Sequence, residues 1–417
     1  MQATQTDTLT PQFIQAAVDV GYRLTREAVW QGDCCNWIGG NVAPTGGRYQ
    51  IVKMACSANV YSGISGIALF LAQLTQQLSD ALLQETFEGA MNTLVSENRG
   101  AEKTVYGFYA GQLGVADMLI QIGTIKQRTA WVEKGWQRLQ KICENPPSET
   151  ELDVIAGVAG CIPVLLKYYR TKKEDWLLRA AEKCGDLLLS KAVKTENHCT
   201  WITMEGSPGL TGYSHGNAGI TLALLELYQV TQNNKWLQTA MLGFQYERQL
   251  FDAQHQNWPD LRQMPGAPAS TTHTCQEAWC HGAPGIAMSR LRAWQITGDT
   301  NFLNEARTAL HTTYLGLYRS QTNYSLCHGI AGNADVLLTA GLLLQDNTLV
   351  FAAREAGRIG LEKYAATGLD WPTGVSDPNG APGTSANPSL LLGLAGTGYF
   401  YLRLYNPFQV PTVLMPA

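Results

Sequence analysis

Two kinds of helical segment alternate along the chain. In the first kind nearly every position is apolar, as in ISGIALFLAQL (64–74), which is typical of a helix buried on most of its faces. In the second kind, charged and apolar side chains share an amphipathic pattern. The first amphipathic helix is predicted to start at Thr10-Pro11. Six others are predicted to cover about 79–97, 128–143, 174–190, 234–250, 300–318 and 349–365. Period-two alternation between turns is scarce, so few strands are expected.

Each apolar segment opens with the same glycine motif. Gly-x-x-Gly followed at once by an apolar run occurs seven times, with its first glycine at Gly63, Gly111, Gly157, Gly216, Gly282, Gly329 and Gly393. Glycine at the mouth of a buried helix permits a left-handed turn or a close backbone approach. Such self-similarity marks a repeat architecture. We therefore predict an all-α fold, an (α/α) toroid of seven hairpins with an inner and an outer ring of seven helices, as one domain over 1–417.

Long polar segments interrupt the repeats in a few places. The segments 28–59, 251–279 and 366–389 are rich in glycine, proline and polar residues, and a further loop, 191–214, precedes the fourth repeat. Loops of this length in a compact domain are usually functional or disordered. We expect 251–279 and 366–389 to contact a ligand.

Composition narrows the class of protein. Hydrophobic residues make up 45% of the chain and charged residues 15%, which implies a large buried fraction, and the net charge of −4 argues against a general nucleic-acid binder. The N-terminus lacks a basic start followed by an apolar core, and no stretch approaches the ~18 apolar residues of a spanning helix. A cytoplasmic protein without a membrane span is predicted. Its ten cysteines are then expected to be thiols.

The glycine motif also aligns equivalent positions of the seven repeats, and reactive side chains recur at two of these positions. The residue just before the first glycine is a histidine in three consecutive repeats, namely His215, His281 and His328. One position earlier stand Cys280 and Cys327, in neighbouring repeats. If the repeats form a ring, equivalent positions lie at the same height at one end of it. The five side chains are therefore expected to converge.

Convergent thiols and imidazoles indicate zinc, because soft sulfur with nitrogen suits a tetrahedral Zn²⁺ site. Cys280, His281, Cys327 and His328 could close a four-ligand structural site. Alternatively, one of the two Cys-His pairs supplies a single ligand, and three ligands leave the open position that a catalytic zinc needs. The competing interpretation is that the cysteines are small buried apolar residues and the histidines cap turns.

Four motifs carry a resemblance to a known family. WCHGAPG (279–285) and LCHGIAG (326–332) resemble the two zinc motifs of the LanC family, the lanthionine synthetase cyclases. YSHGNAG (213–219) is similar to that family's catalytic-histidine motif, and DVIAGVAG (153–160) to its conserved-acid motif. The resemblance extends through all seven repeats.

The resemblance implies a seven-fold α/α toroid with one zinc ion held by Cys280, Cys327 and His328. It also implies an activity, the addition of peptide cysteine thiols to dehydroalanine or dehydrobutyrine, which forms lanthionine or methyllanthionine thioether rings. The chain departs from the family at two places. Gln276 stands where characterised cyclases have an arginine, and His281 stands where the family varies between tyrosine and histidine.

The reaction needs proton transfer as well as a thiolate. Conjugate addition creates an enolate that must be protonated, and the thiol proton must be removed. His215 is the remaining histidine in register and is the natural general acid/base. Asp153, four residues before Gly157, is predicted to hold the tautomer or the charge of His215. The alternative for Asp153 is a capping role in its own loop.

The predicted partner is a dehydrated precursor peptide, leader plus core, supplied by a separate dehydratase. A second hypothesis is a LanC-like protein that binds a thiol such as glutathione without catalysis, and the Gln276 departure leaves room for it. A third is a zinc prenyltransferase of the α/α-barrel type, which would need an acidic zinc ligand. The register of Cys280, Cys327 and His328 argues against that third hypothesis.

Overall fold

A computed structural model of the chain describes residues 9–45, 48–96, 105–144, 151–263, 273–319, 323–375 and 387–416. It confirms the predicted (α/α) toroid. Fourteen α-helices within these ranges form the inner and outer rings, seven in each. The prediction of one domain over 1–417 includes residues outside the described ranges and stays a prediction. None of the described helices is both long and apolar enough to cross a membrane.

The inner ring consists of the apolar helices, and every one begins directly after the first glycine of its motif. They are α2 (Ile64–Gln77), α4 (Gln112–Ile125), α6 (Val158–Lys172), α8 (Asn217–Thr231), α10 (Ala283–Thr297), α12 (Ile330–Leu344) and α14 (Leu394–Tyr405). Almost all residues in the first three turns of these helices are buried, which explains their uniform apolarity.

The outer ring consists of the amphipathic helices. They are α1 (Thr10–Glu27), α3 (Ala81–Val95), α5 (Thr129–Glu144), α7 (Asp175–Lys191), α9 (Asn234–Gln249), α11 (Thr300–Gly316) and α13 (Asn347–Gly360). A π-helical turn at Leu361–Ala365 continues α13. Each of the helices α3 to α13 packs on the inner helix that precedes it, whereas α1 packs on α14. The first and last helices therefore form the seventh hairpin, and α14 also packs on α2, which closes the ring.

A circle of backbone hydrogen bonds joins the loops at the N-terminal ends of the inner helices. Each loop bonds to the next, through all seven repeats. The donor and acceptor residues are Tyr61 to Tyr109, Ala110 to Ile155, Val154 to Ser214, Ser214 to Cys280, Cys280 to Cys327, Cys327 to Leu391 and Leu391 to Tyr61, with N···O distances of 2.9 to 3.3 Å. Equivalent positions of the repeats therefore lie at one level at this end of the ring, as the alignment on the glycine motif predicts.

The second glycine of each motif is required by a close backbone approach. A Cβ atom on Gly332 would lie 1.8 Å from the carbonyl oxygen of Leu326, and one on Gly285 would lie 2.0 Å from that of Trp279. The first glycines meet close backbone approaches as well, since a Cβ atom on Gly63 would lie 2.2 Å from the carbonyl oxygen of Ser57 and one on Gly393 would lie 1.9 Å from that of Asn387. Only Gly282 has a positive φ, +101°, and the other six cap their helices in extended conformations. A left-handed turn is thus the explanation at Gly282 alone.

The segment 28–59, expected to be a loop, contains two β-hairpins. In the first, β1 (Val29–Gln31) pairs with β2 (Cys34–Asn36), and in the second, β3 (Ile38–Thr45) pairs with β4 (Arg48–Ala55). Thr45 pairs with Arg48 across two glycines of the sequence, a typical two-residue hairpin connection. A short pair, β5 (Val193–Lys194) with β6 (Cys199–Thr200), lies in 191–214.

Parts of the other two predicted loops, 264–272 and 376–386, lie outside the described residues, as do residues 1–8.

The segment after α14 packs inside the ring. The carbonyl oxygen of Leu414 accepts a hydrogen bond from Trp279 Nε1 at 2.8 Å, and that of Val413 accepts one from Tyr109 Oη at 2.7 Å. Trp279 and Tyr109 belong to the fifth and second repeats. Val410 and Leu414 are fully buried. The tail is therefore bonded to residues just before the inner helices of the second and fifth repeats.

Candidate metal centre and proton-transfer pair

The structure brings three of the predicted zinc ligands together. The Sγ atoms of Cys280 and Cys327 and a ring nitrogen of His328 all lie within 4.8 Å of one another. Cys280 and Cys327 lie in the loops that lead into α10 and α12. The backbone N–H of Cys280 donates to the carbonyl of Cys327 at 3.3 Å. The circle of loop hydrogen bonds is therefore what places two sulfurs distant in sequence beside each other.

The imidazole of His328 is oriented by a backbone carbonyl. Its Nε2 lies 2.9 Å from the carbonyl oxygen of Gly374, which can accept only from an N–H. Nδ1 is then the nitrogen with a free lone pair. Burial lowers the pKa of His328, but a hydrogen bond with Cys280 and the charge of that thiol outweigh burial and raise it. A carbonyl that fixes the tautomer is the usual outer-sphere partner of a metal-binding histidine.

Tyr61 is a further member of this group. Its hydroxyl donates to the Sγ of Cys327 at 2.9 Å. Burial and the neighbouring thiols raise the pKa of Tyr61 well above its ordinary value, so it remains a donor. Tyr61 stands two residues before Gly63, the position that Cys280 and Cys327 occupy in their own repeats. That register was the signal that could have identified it.

The two thiols shift each other's pKa in opposite directions. A hydrogen bond from Cys327 lowers the pKa of Cys280 well below its ordinary value, whereas burial and that same bond raise the pKa of Cys327. Two thiols and one imidazole nitrogen, all deprotonatable at neutral pH when a metal binds, make a donor set that suits zinc. Three protein donors leave a fourth position for another ligand.

His281 lies outside the three-residue group. Its side chain is buried, and its Nε2 has no hydrogen-bond partner within the described part of the chain. The ring stacks on that of His215, with centroids 5.7 Å apart. Burial lowers the pKa of His281 to about 4, so the ring is neutral at pH 7. Of the two adjacent Cys-His pairs, only Cys327-His328 directs both side chains into the cluster of donors.

His215 and Asp153 form a hydrogen-bonded pair, with Nδ1 of His215 2.5 Å from Oδ2 of Asp153. The other oxygen of Asp153, Oδ1, accepts the backbone N–H groups of Ala156 at 2.8 Å and Gly157 at 3.0 Å. Asp153 is buried. Both interpretations of Asp153 are therefore met at once, because one carboxylate oxygen caps the turn while the other bonds the imidazole.

The turn that carries His215 is held by a buried acid on the outer ring. Oε1 of Glu247, in α9, accepts the backbone N–H groups of Gly212 at 3.0 Å and Ala218 at 3.1 Å. Its other oxygen, Oε2, pairs with Arg290 at 2.7 Å, and both side chains of this pair are 0% exposed. A buried carboxylate with these partners fixes the height at which the His215 ring enters the site.

Two opposing influences set the pKa of His215. Burial lowers it, but the hydrogen bond and the charge of Asp153 outweigh burial, and the net shift is upward. The imidazole is one third exposed, so a proton can reach it. An imidazole with a pKa raised from 6.5 exchanges protons near neutral pH and suits general acid/base work.

Gln276 does not supply a substitute for the missing arginine. Its side chain is exposed and lies 3.5 Å from Thr274 Oγ1, and its carbonyl oxygen accepts from Asn257. Another guanidinium in the segment 251–279 is that of Arg262, which pairs with Asp260. No pattern in the sequence pointed to Arg262 or Asp260, since both stand in a non-repeating loop.

A second group of donors, Asp252, His255 and Cys275, also lies within 4.8 Å. The Asp252 carboxylate is already used, because it accepts the backbone N–H groups of Gln254 and His255 and bonds the His255 ring at 2.7 Å. His255 is largely exposed. We assign this group no metal.

Several known proteins are similar to this chain in sequence. Lacticin 481/lactococcin biosynthesis protein LcnDR2 of Lactococcus lactis subsp. lactis is 26% identical over 331 residues, 74% of this chain and 32% of LcnDR2. Nisin biosynthesis protein NisC of the same subspecies is 23% identical over 314 residues, 66% of this chain and 72% of NisC. The chain thus spans about a third of the length of LcnDR2.

Two further similarities concern a vertebrate protein and a solved structure. Glutathione S-transferase LANCL1 of Danio rerio is 29% identical over 130 residues, 31% of this chain and 28% of LANCL1. The solved structure of nisin cyclase superposes with a TM-score of 0.64 at 17% identity, covering 85% of this chain and 90% of that one, which shows a common fold. The family model for lanthionine synthetase C-like proteins matches residues 55–415, a span that takes in all seven glycine motifs. On the strength of that match, the chain belongs to the lanthionine synthetase C-like family.

Proposed function

We propose that this protein is a zinc-dependent lanthipeptide cyclase. It adds cysteine thiols of a dehydrated precursor peptide to dehydroalanine or dehydrobutyrine and so forms lanthionine and methyllanthionine rings. The observation that carries the proposal is the cluster of Cys280, Cys327 and His328 beside the His215–Asp153 pair, at one end of the toroid. The similarity to NisC, named for nisin biosynthesis, and to LcnDR2, named for lacticin 481/lactococcin biosynthesis, supports the same activity.

Cys280, Cys327 and His328 would hold the zinc ion. A zinc ion bound by these residues would supply the Lewis acidity that lowers the pKa of a substrate thiol, which at ~8.5 is otherwise mostly protonated at neutral pH. Two contacts within the chain orient or stabilise these proposed ligands. The Gly374 carbonyl fixes the His328 tautomer, and the Tyr61 hydroxyl donates to Cys327 and offsets negative charge on that sulfur.

The remaining chemistry is the movement of one proton. The substrate sulfur forms a bond to Cβ of the dehydro residue, and the C=C π electrons move toward the carbonyl as an enolate. The proton that leaves sulfur is replaced by one at Cα, so that overall S–H adds across C=C. In this proposal His215 accepts the first proton and delivers one to Cα, a contribution of about 10²–10⁴ in rate.

Asp153 acts through His215 in this scheme. Its Oδ2 bonds Nδ1, so Nε2 is the nitrogen left to exchange protons with the substrate. Its charge stabilises the imidazolium that forms when His215 accepts the thiol proton. Because Oδ1 is bound by two backbone N–H groups, the carboxylate cannot rotate away.

The proposed substrate requires an earlier reaction. Dehydroalanine and dehydrobutyrine arise by loss of water from serine and threonine, and we propose that a separate dehydratase in the cytoplasm performs this step. The precursor would then carry a leader segment together with the core. The described part of the segment 251–279, residues 251–263 and 273–279, borders the turns of His215 and Cys280 and offers a surface on which the peptide can dock.

The test is a thiol-trapping assay with zinc-loaded protein and a dehydrated peptide that contains one cysteine and one dehydroalanine. Ring closure leaves the peptide mass unchanged but removes the free thiol, so the product no longer takes up N-ethylmaleimide. We expect the wild type to abolish alkylation and His215→Ala to leave the peptide alkylatable while retaining zinc. Complete alkylation with the wild type, or full activity of His215→Ala, would contradict the proposal.

A second candidate is the binding of a small thiol without ring formation. The local similarity to LANCL1, named as a glutathione S-transferase, and the presence of Gln276 favour it. A binder uses the Cys280–Cys327–His328 cluster but not the proton chemistry of His215. Glutathione affinity that is unaffected by His215→Ala, together with no peptide cyclisation by the wild type, would select this candidate.

A further inference from the structure

The segment around Arg262 is held against the loops that form the site. Thr211 Oγ1, in the turn before His215, donates to the carbonyl of Pro259 at 2.6 Å. The backbone N–H of Gln263 donates to Ser207 Oγ at 2.9 Å. On its other side, the N–H of Asp260 donates to the carbonyl of Thr274 at 2.9 Å, in the stretch that leads to Cys280. Residues 259–263 are thus fixed between the loops of the fourth and fifth repeats.

The guanidinium of Arg262 is held at one edge and free at the other. Nε lies 3.0 Å from Oδ1 of Asp260, and Nη2 lies 2.6 Å from Oδ2. Among the residues that the structure describes, Nη1 has no acceptor. The Arg262 side chain is 34% exposed and that of Asp260 is 10% exposed. A bidentate pair of this kind orients the guanidinium plane, and its two Nη1 protons remain available to an incoming oxygen.

The positive charge of Arg262 influences the pKa of groups in the site. Burial lowers the pKa of Arg262, but the Asp260 carboxylate and then the thiols of Cys280 and Cys327 outweigh burial and raise it. The same charge opposes protonation of His215, where burial is the larger influence in that direction. The charge of Arg262 is therefore felt at both the donor cluster and His215, in agreement with the hydrogen bonds that fix residues 259–263 against the loops of the site.

We infer that Arg262 is a catalytic residue whose Nη1 donates hydrogen bonds to the carbonyl oxygen of the dehydro residue. This inference rests on the proposed function and deepens it. When sulfur bonds to Cβ, the π electron pair moves to Cα and the carbonyl oxygen, which becomes the anionic oxygen of an enolate. Protonation of Cα then restores the neutral carbonyl. The charge that Arg262 meets exists only between these two events.

The assignment explains how the chain can function with Gln276. The guanidinium comes from residue 262 of the same loop instead of residue 276, and Asp260 supplies the anchor that orients it. A donor that meets charge only in the transition state raises kcat without tightening substrate binding. Removing one such donor lowers kcat by about 10²–10³ in enzymes with oxyanion sites.

The test compares Arg262→Ala, Arg262→Lys and Arg128→Ala with the wild type. The control residue Arg128 also pairs with an acid, Glu88 at 2.9 Å, but at the other end of the inner helices, after α4. All four zinc-loaded proteins are assayed on the dehydrated peptide for kcat and KM, with zinc content and thermal unfolding measured alongside. We expect Arg262→Ala to lose about 100-fold in kcat with KM, zinc and stability unchanged, and Arg262→Lys to recover part of the loss.

Each other outcome overturns the inference. An unchanged kcat in Arg262→Ala does so directly. A rise in KM alone would mean that Arg262 binds the ground-state peptide, and a loss of zinc or stability would mean that it only holds the loop. A wild type that cyclises nothing would contradict the proposed function itself and this inference with it, whereas a wild-type rate in Arg262→Ala contradicts the inference alone.

Discussion

The Nδ1 atom of His215 lies 2.5 Å from Oδ2 of Asp153, whose second oxygen caps the turn before α6. The pair joins two neighbouring repeats, the third and the fourth. Val154 also bonds the carbonyl of Ser214, so the backbone and the side chains make the same connection. An acid that a repeat needs for its own turn has thereby become the partner of the next repeat's histidine.

Asp153→Asn separates these two tasks. An asparagine Oδ1 can still accept the N–H groups of Ala156 and Gly157, but it carries no charge for His215. We expect the variant to fold, to keep zinc and to lose at least about tenfold in cyclisation rate, because the imidazolium is no longer stabilised. The thiol-trapping assay measures the rate. Asp252→Asn is the matched control, since it changes an Asp–His pair of 2.7 Å outside the site. An unchanged rate in Asp153→Asn would leave Asp153 with the capping role alone.

The same pair makes a predictable contribution to stability as a function of pH. The folded-state pKa of His215 is raised above 6.5, so its contribution is fully present below pH 6.5 and is lost as pH rises through the folded value. The destabilisation caused by Asp153→Asn is therefore expected to be larger at pH 5.5 than at pH 9. Urea unfolding of both proteins at the two pH values measures it. A difference that grows toward pH 9 would contradict this assignment of the shift.

Zinc content tests the donor cluster. Purified wild-type protein is expected to hold about one zinc ion per chain, and Cys327→Ala to lose most of it, because two donors bind zinc far more weakly than three. Metal analysis after dialysis gives the stoichiometry. Cys199→Ala is the control, since Cys199 is equally buried but donates to the carbonyl of Thr239. Full zinc retention in Cys327→Ala would reject the proposed ligands.

Tyr61→Phe probes the hydroxyl beside the Cys327 sulfur. The variant keeps the ring but removes the 2.9 Å hydrogen bond. We expect zinc to remain bound with an affinity lowered by about 10-fold or more, as is usual when an outer-sphere partner is lost. Competition with a chromophoric chelator measures the affinity. An affinity equal to that of the wild type would show that the bond does not contribute to metal binding.

The glycine motifs can be tested by stability. Gly332→Ala places a Cβ 1.8 Å from the carbonyl oxygen of Leu326, and backbone atoms must move to accept it. We expect a loss of about 3 kcal/mol or more in the free energy of unfolding. Gly206→Ala is the comparison, because its added Cβ meets no atom within 4 Å. Its expected loss in the free energy of unfolding is about 1–2 kcal/mol and comes only from the φ of +77°. Equal losses in the two variants would contradict the close-approach explanation.

Much of this architecture was predictable from local patterns. The seven Gly-x-x-Gly motifs gave the start of every inner helix, and the amphipathic periodicity located the outer helices within a few residues. Alignment on the glycine motif predicted that Cys280, Cys327, His215 and His328 stand at one level, because equivalent residues of a structural repeat have equivalent backbone positions. The hairpin at Ile38–Ala55 was missed, since its alternation is short and interrupted by glycines.

Contacts made by the two ends of the chain and by the non-repeating segments were not predictable. The pairing of α1 with α14 joins the two ends of the chain, and no local pattern encodes a contact over that separation. The carbonyl of Gly374 and the guanidinium of Arg262 come from loops that have no equivalent in other repeats. Tyr61 was in register, but only its 2.9 Å contact with Cys327 identifies it as a donor.

Side-chain pattern and spacing within one repeat were enough to predict the periodic part of this protein, namely the helices, their burial and the level at which the reactive residues stand. The distances between those residues, and the choice between two neighbouring histidines, depend on the folded ring. Closure of the ring sets the distances between repeats, and it separates His328, whose nitrogen meets both sulfurs, from His281, whose ring turns toward His215.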